Sequence, residues 1–149
     1  MIKVETIGMI DAAKVNPVIT SENDVTNYQF ITHEDNLYLV ANTLRGDDSY
    51  REDVTIKAGE YINGYLVKAW ETQNLLVDEK HIVYAGGKSY SDIVAGTTLL
   101  KVAENGKLEV TETAPATGVY FKVTGKCFLT EKAIKAKVIV VDEDTVSGS

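Results

Sequence analysis

The chain has 149 residues, a length that suits one domain burying roughly 70% of its unfolded surface. Its single cysteine, Cys127, excludes an intrachain disulfide, so stability has to come from packing. A net charge of −7, with the lysines scattered through apolar stretches, argues against a nucleic-acid partner.

No apolar run approaches the ~20 residues that cross a bilayer, and no membrane role is expected. The start, Met1-Ile-Lys-Val-Glu-Thr6, lacks the long uncharged stretch of a signal peptide, so synthesis and residence in a cytoplasm are expected.

In chain order, residues 1–27 read as a strand followed by an extended arm. Ile2 and Val4 alternate with Lys3 and Glu5 before Gly8 interrupts. Pro17 keeps Asn16 extended and removes a ladder donor, so Asn16, Pro17 and Val18 belong to an edge strand or to an arm that docks on a neighbour. Tyr28–Thr32 and Leu37–Ala41 flank the turn formers His33-Glu-Asp-Asn36 and predict a hairpin. Residues 42–53 form a charged loop that carries Tyr50.

The stretch Val54–Trp70 predicts a second, central hairpin. Two apolar runs meet at Asn63-Gly64, the dipeptide best suited to a tight turn with φ > 0 at both corners. Strands are expected at Asn74–Asp78 and His81–Ala85, followed by punctuation at Gly86-Gly87 and a polar loop, Lys88–Asp92, that carries Tyr90. Thr98–Ala103 and Lys107–Thr111 then pair. A two-residue turn would set Val102 against Glu109 and mix the faces. A three-residue loop sets Val102 opposite Leu108 and Leu100 opposite Val110, with Gly106 left-handed, and that register is preferred.

Val119, Phe121 and Val123 alternate with polar residues as a half-buried strand. Thr130–Ala136 can open a short helix capped by Thr130, but the period-two run ending Val-Ile-Val-Val141 reads as a central strand over 135–141. Residues 142–149 read as a flexible polar tail. An internal echo links Ile56-Lys-Ala-Gly59 to Ile93-Val-Ala-Gly96. The predicted fold is therefore all-β and mainly antiparallel: a compact sandwich or barrel of hairpins, with an extended N-terminal arm and at most one short helix. The β domain itself spans 28–141.

No residue pattern demands catalysis. His33 and His81 stand alone in polar contexts, and His81, beside Asp78 and Glu79, reads as surface decoration. No Cys-x-x-Cys, His-x-x-x-His or phosphate loop occurs, and the acidic clusters Asp47-Asp48 and Asp142–Asp144 lack the spacing of a calcium loop. Catalytic residues, metal and cofactor are accordingly read as none. Cys127, among Phe121, Val123, Phe128 and Leu129, reads as a small buried hydrophobe.

Eight tyrosines stand against three phenylalanines and one tryptophan, a balance that suits both contact surfaces and strands. Tyr50 and Tyr90, in polar loops, are the contact candidates beside Asn16, Pro17 and Val18; the other six tyrosines read as structural. Trp70 is expected to be at least half buried.

The stretches Val54–Gly64, Leu76–Ile82, Ala95–Leu99 and Thr117–Val123 give the chain, over most of residues 25–141, a resemblance to small head proteins of tailed bacteriophages and prophages. The resemblance implies a non-enzymatic decoration protein that binds the outside of an icosahedral capsid. Its partner would be the major capsid protein, with homo-oligomers possible, and its location the virion head surface after synthesis in the host cytoplasm. Two other readings stand beside it: a carbohydrate-binding or adhesin-like β module stacking sugars on Trp70, Tyr50 and Tyr90, and a hydrolase with two carboxylates in one concave pocket.

Overall fold

The computed structural model describes residues 2–4, 8–9, 15–41, 55–84, 86–128 and 131–141. Tyr50, the 42–53 loop, both acidic clusters and the 142–149 tail lie outside the described residues. Within them the chain is mostly strand, in antiparallel sheets that include a curled half-barrel, as the all-β reading expected.

The largest sheet has eight strands: β1 (Ile2–Val4), β2 (Gly8–Met9), β9 (Asn74–Asp78), β10 (Ile82–Val83), β11 (Leu99–Val102), β12 (Leu108–Thr111), β13 (Gly118–Phe128) and β14 (Lys132–Val141). Their spatial order is β10-β12-β11-β13-β14-β9-β1-β2, and only the β10–β12 pair is parallel. A four-stranded sheet is ordered β3-β8-β6-β5, from β3 (Val15–Thr20), β8 (Tyr61–Leu66), β6 (Asn36–Val40) and β5 (Phe30–His33). Short strands β4 (Val25–Thr26) and β7 (Thr55–Ile56) pair with each other. The first 27 residues thus supply strands to all three sheets.

Period-two alternation explains how the layers stack. Along β6 and just beyond it, Leu37, Leu39 and Ala41 join the main core, while Tyr38 and Val40 join a second cluster with Val25, Ile56 and Ile62. The four-stranded sheet is therefore buried on both faces at β6, which is why residues 37–41 read as one continuous apolar run. Its inner face packs on the large sheet through Phe30, whose ring lies 5.6 Å from Phe121. β14 lies between β13 and β9 and fully buries Ala133, Ile134, Ala136 and Val138. The helix considered near residue 130 is not taken from Lys132 onward, because this central strand has pairing partners on both sides.

The β11–β12 hairpin has the expected register, Leu100 with Val110 and Val102 with Leu108, and Gly106 has φ +81. The β5–β6 hairpin also forms, closed by Glu34 and Asp35 at φ 50 and 67. The central hairpin does not. Asn63-Gly64 lies in the middle of β8, between β3 and β6, and the chain reverses earlier, at Ala58–Glu60, where Gly59 has φ +86. Tertiary pairing outweighed the local turn preference, and the glycine serves another purpose: a Cβ there would meet the Tyr38 side chain at 3.3 Å.

Val67–Trp70 forms a 3₁₀ turn in place of the end of a strand. Trp70 is buried, as expected, and stacks on Tyr65 with ring centroids 6.4 Å apart. The Ile-x-Ala-Gly echo has a structural counterpart, since Ile56 and Ile93 are both buried and Gly59 and Gly96 are both left-handed.

Candidate functional site

The polar groups that chemistry would need are mostly occupied in holding the fold. The Tyr84 hydroxyl donates to Glu79 Oε1 at 3.1 Å, and burial, reinforced by that carboxylate, pushes its pKa up. Asp92 accepts the Ser89 N–H at 2.8 Å and closes the start of the 3₁₀ turn Tyr90–Asp92. Asp24 accepts the Ala58 N–H at 2.8 Å, which, aided by Lys57, lowers its pKa.

His81 overturns the expectation of surface decoration. It ends the 3₁₀ turn Glu79–His81, is buried, and packs on the Tyr28 ring at 5.6 Å. Burial, with Lys80 and Lys107 adding positive charge, lowers its pKa to about 3, so the imidazole is neutral and weakly basic at neutral pH. A cleft of about 230 Å³ beside it is lined by Asn27, Lys80, Asn105 and Lys107 among others, without a carboxylate. Asp78 is fully buried. Among the described residues no group of three His, Cys, Asp or Glu side chains is placed to hold a metal. No helix among them is long and apolar enough to cross a membrane.

One surface is organised around Tyr90. Its hydroxyl donates to the Ala133 carbonyl at 2.8 Å, anchoring the 90–98 loop on the β13–β14 pair. The loop then runs along β13, with the Gly96 N–H donating to Val123 C=O at 2.7 Å and the Val123 N–H to Thr98 C=O at 2.9 Å. The half-buried Tyr90 ring is a platform for two ammonium groups, Lys126 at 4.7 Å and Lys132 at 5.5 Å from its centroid. Such contacts are worth about 0.5–1 kcal/mol at exposed sites. Neither lysine has a carboxylate partner among the described residues.

Phe128, paired across the ladder with Lys132, is 72% exposed, and Val94 on the anchored loop is 54% exposed. Beside the loop lies a groove of about 340 Å³ floored by Ile93 and Val110, with the Lys88–Glu112 ion pair at 3.3 Å along it.

Of the residues singled out from sequence, Tyr90 belongs to this surface, as its support more than its tip. Asn16, Pro17 and Val18 lie on β3, the outer strand of the four-stranded sheet, where the pairing with β8 is irregular between Val15 and Val18. Phe128, expected among the packed neighbours of Cys127, points into solvent, and Cys127 is only half buried. Tyr61, read as structural, is 75% exposed. Sequence reasoning missed Lys126, Lys132 and Val94. The available signal for the two lysines was the pairing of Lys126-Cys-Phe128 with Lys132-Ala-Ile134 near the β13–β14 tip, visible only once the register was known. Trp70, buried under Tyr65, offers no stacking face to a sugar.

No protein-family model matches the chain, and comparison with curated proteins and with solved structures returns no match.

Proposed function

We propose that the chain is a non-enzymatic structural protein that binds the outer surface of an icosahedral phage head as a decoration protein, with the major capsid protein as its partner. The observation that carries the binding role is the Tyr90 surface, where exposed Phe128 adjoins two lysines that have no carboxylate partner among the described residues, and Val94 is exposed on the loop that Tyr90 anchors. An exposed aromatic ringed by polar groups is the usual make-up of a protein contact. The phage assignment rests on the resemblance of residues 25–141 to small head proteins. A β body braced by packing, and an acidic charge that disfavours DNA, accord with it.

The test is co-sedimentation of the purified chain with expanded phage shells, followed by electron cryo-microscopy of particles with and without it. Binding at one lattice position, with surface density that disappears from particles lacking the chain, is expected. Shells that take up no protein, or particles whose surface is unchanged by its absence, rule the proposal out.

A further inference from the structure

The edge strand β5 opens onto a trench away from the Tyr90 surface. The Val40 N–H donates to Gln29 C=O at 2.9 Å and the Tyr28 N–H to Val40 C=O at 2.8 Å, which makes Gln29–Val40 a hydrogen-bonded rung with a bulge at Tyr28. Counting by twos, Ile31 and His33 also bond inward to β6, so the N–H and C=O groups of Phe30 and Thr32 point outward. Phe30 confirms the parity, because its N–H leaves the sheet to reach Gly106 C=O at 2.8 Å. The outward Thr32 groups have no backbone partner among the described residues.

They face two cavities, of about 420 and 590 Å³, that meet at Thr32 and Val102. The floor is apolar, from half-buried Leu37, Val102, Val119 and Val140. The Phe30 end is acidic and the His33 end is of mixed sign. Glu104 lies at the Phe30 end beside Asp24, which is engaged by Lys57. At the His33 end lies Lys68, with Asp35 and with Lys101, which is bridged to Glu109. Glu104, Lys68 and Asp35 have no ion partner among the described residues, so Lys68 is the cation at the His33 end that an acidic group can reach.

We infer that this trench receives an extended segment of a partner protein as a fifth strand of the four-stranded sheet, hydrogen-bonded to Thr32. The segment alternates apolar residues over the Val102 floor. It carries an acidic residue at the Lys68 end and a basic one at the Glu104 end. Main-chain bonds supply affinity in such strand addition, and the alternate pockets supply selectivity. A strand running antiparallel to β5 is acidic at its N-terminal end and basic at its C-terminal end. The inference does not depend on the partner being a capsid, so its test contains no shell.

The probe is a capped heptapeptide of alternating valine and threonine, with glutamate first and lysine last, compared with its charge-reversed counterpart. At millimolar peptide, amide exchange at Thr32 is expected to slow at least threefold with the first peptide and less with the second. Thr32→Pro removes the outward donor while leaving the inward rungs intact, so it should abolish binding at an unchanged melting temperature. Should that variant unfold, the paired exchange Lys68→Glu with Glu104→Lys, which touches no backbone, should invert the peptide preference. Unaltered exchange at Thr32 in the wild-type chain, or no change in preference with the paired exchange, overturns the inference.

Discussion

Gly64 shows how one residue is explained by two different physical arguments, only one of which holds in the fold. Beside Asn63 it invites a turn, yet it sits in β8 opposite Val40 with the Tyr38 ring against its α-carbon. A side chain there has to displace that ring from the cluster containing Ile62 and Val40. Gly64→Val should therefore cost about 1–3 kcal/mol, the range of overpacked cores, and the loss should shrink when Tyr38 is first cut to alanine. Equal losses in both backgrounds, measured by urea unfolding, would trace the cost to the backbone. His81 makes a second residue-scale prediction. Its folded pKa of about 3 lies below its ordinary 6.5, so between those values the unfolded chain holds a proton that the native one does not. The stability contributed by the neutral ring is complete above about pH 6.5 and is lost as the pH falls toward 3. From pH 7 to 5.5, above most carboxylate titrations, the wild type should weaken while His81→Leu stays flatter. Parallel unfolding curves for the two would show that the ring titrates normally.

At the scale of elements, Gly106 couples two sheets. It is the left-handed residue of the β11–β12 turn, its N–H donates to Ala103 C=O at 2.9 Å, and its carbonyl accepts from Phe30 in β5. A Cβ at Gly106 would collide with the Gln29 side chain. Gly106→Val should cost about 1–3 kcal/mol from backbone strain alone, with added loss from Gln29. Amide exchange should accelerate at Phe30 as well as in the turn; acceleration confined to residues 103–107 would show the sheets to be independent there. The β11–β12 register was legible in sequence because only one loop length kept Leu100 and Val102 on the face of Val110 and Leu108. β9 and β14 were legible for a similar reason, since apolar alternation survives any tertiary arrangement. Asn63-Gly64 misled because turn propensity is local, whereas strands β3 and β6 flank it from distant parts of the chain. The Tyr90 surface was legible only at Tyr90 itself. Its lysines and Phe128 become neighbours through the β13–β14 register and the anchored loop, neither of which leaves a contiguous pattern in the residues.

For the molecule as a whole, the placement of charge matters more than its sum. The chain carries −7, yet Lys126 and Lys132 share one ring, and Phe128 stands exposed beside them. The two kinds of group should affect the proposed docking differently. Lysines at a rim steer an acidic partner surface, so they set the association rate and its salt dependence, whereas a buried aromatic anchor sets the lifetime of the complex. Reversing both charges, Lys126→Glu with Lys132→Glu, should slow association several-fold at low salt and leave a much smaller difference at high salt. Phe128→Ser should leave the association rate nearly unchanged and raise dissociation at least tenfold, at about 1.4 kcal/mol per tenfold. Phe128→Ser touches no core contact and should melt with the parent, whereas the charge reversal gives up both cation–π contacts to Tyr90 and should melt slightly lower. Surface-bound shells in a flow assay separate the two rates. Phe128→Ser dissociating at the parental rate would mean that this face stays in solvent when the protein is bound.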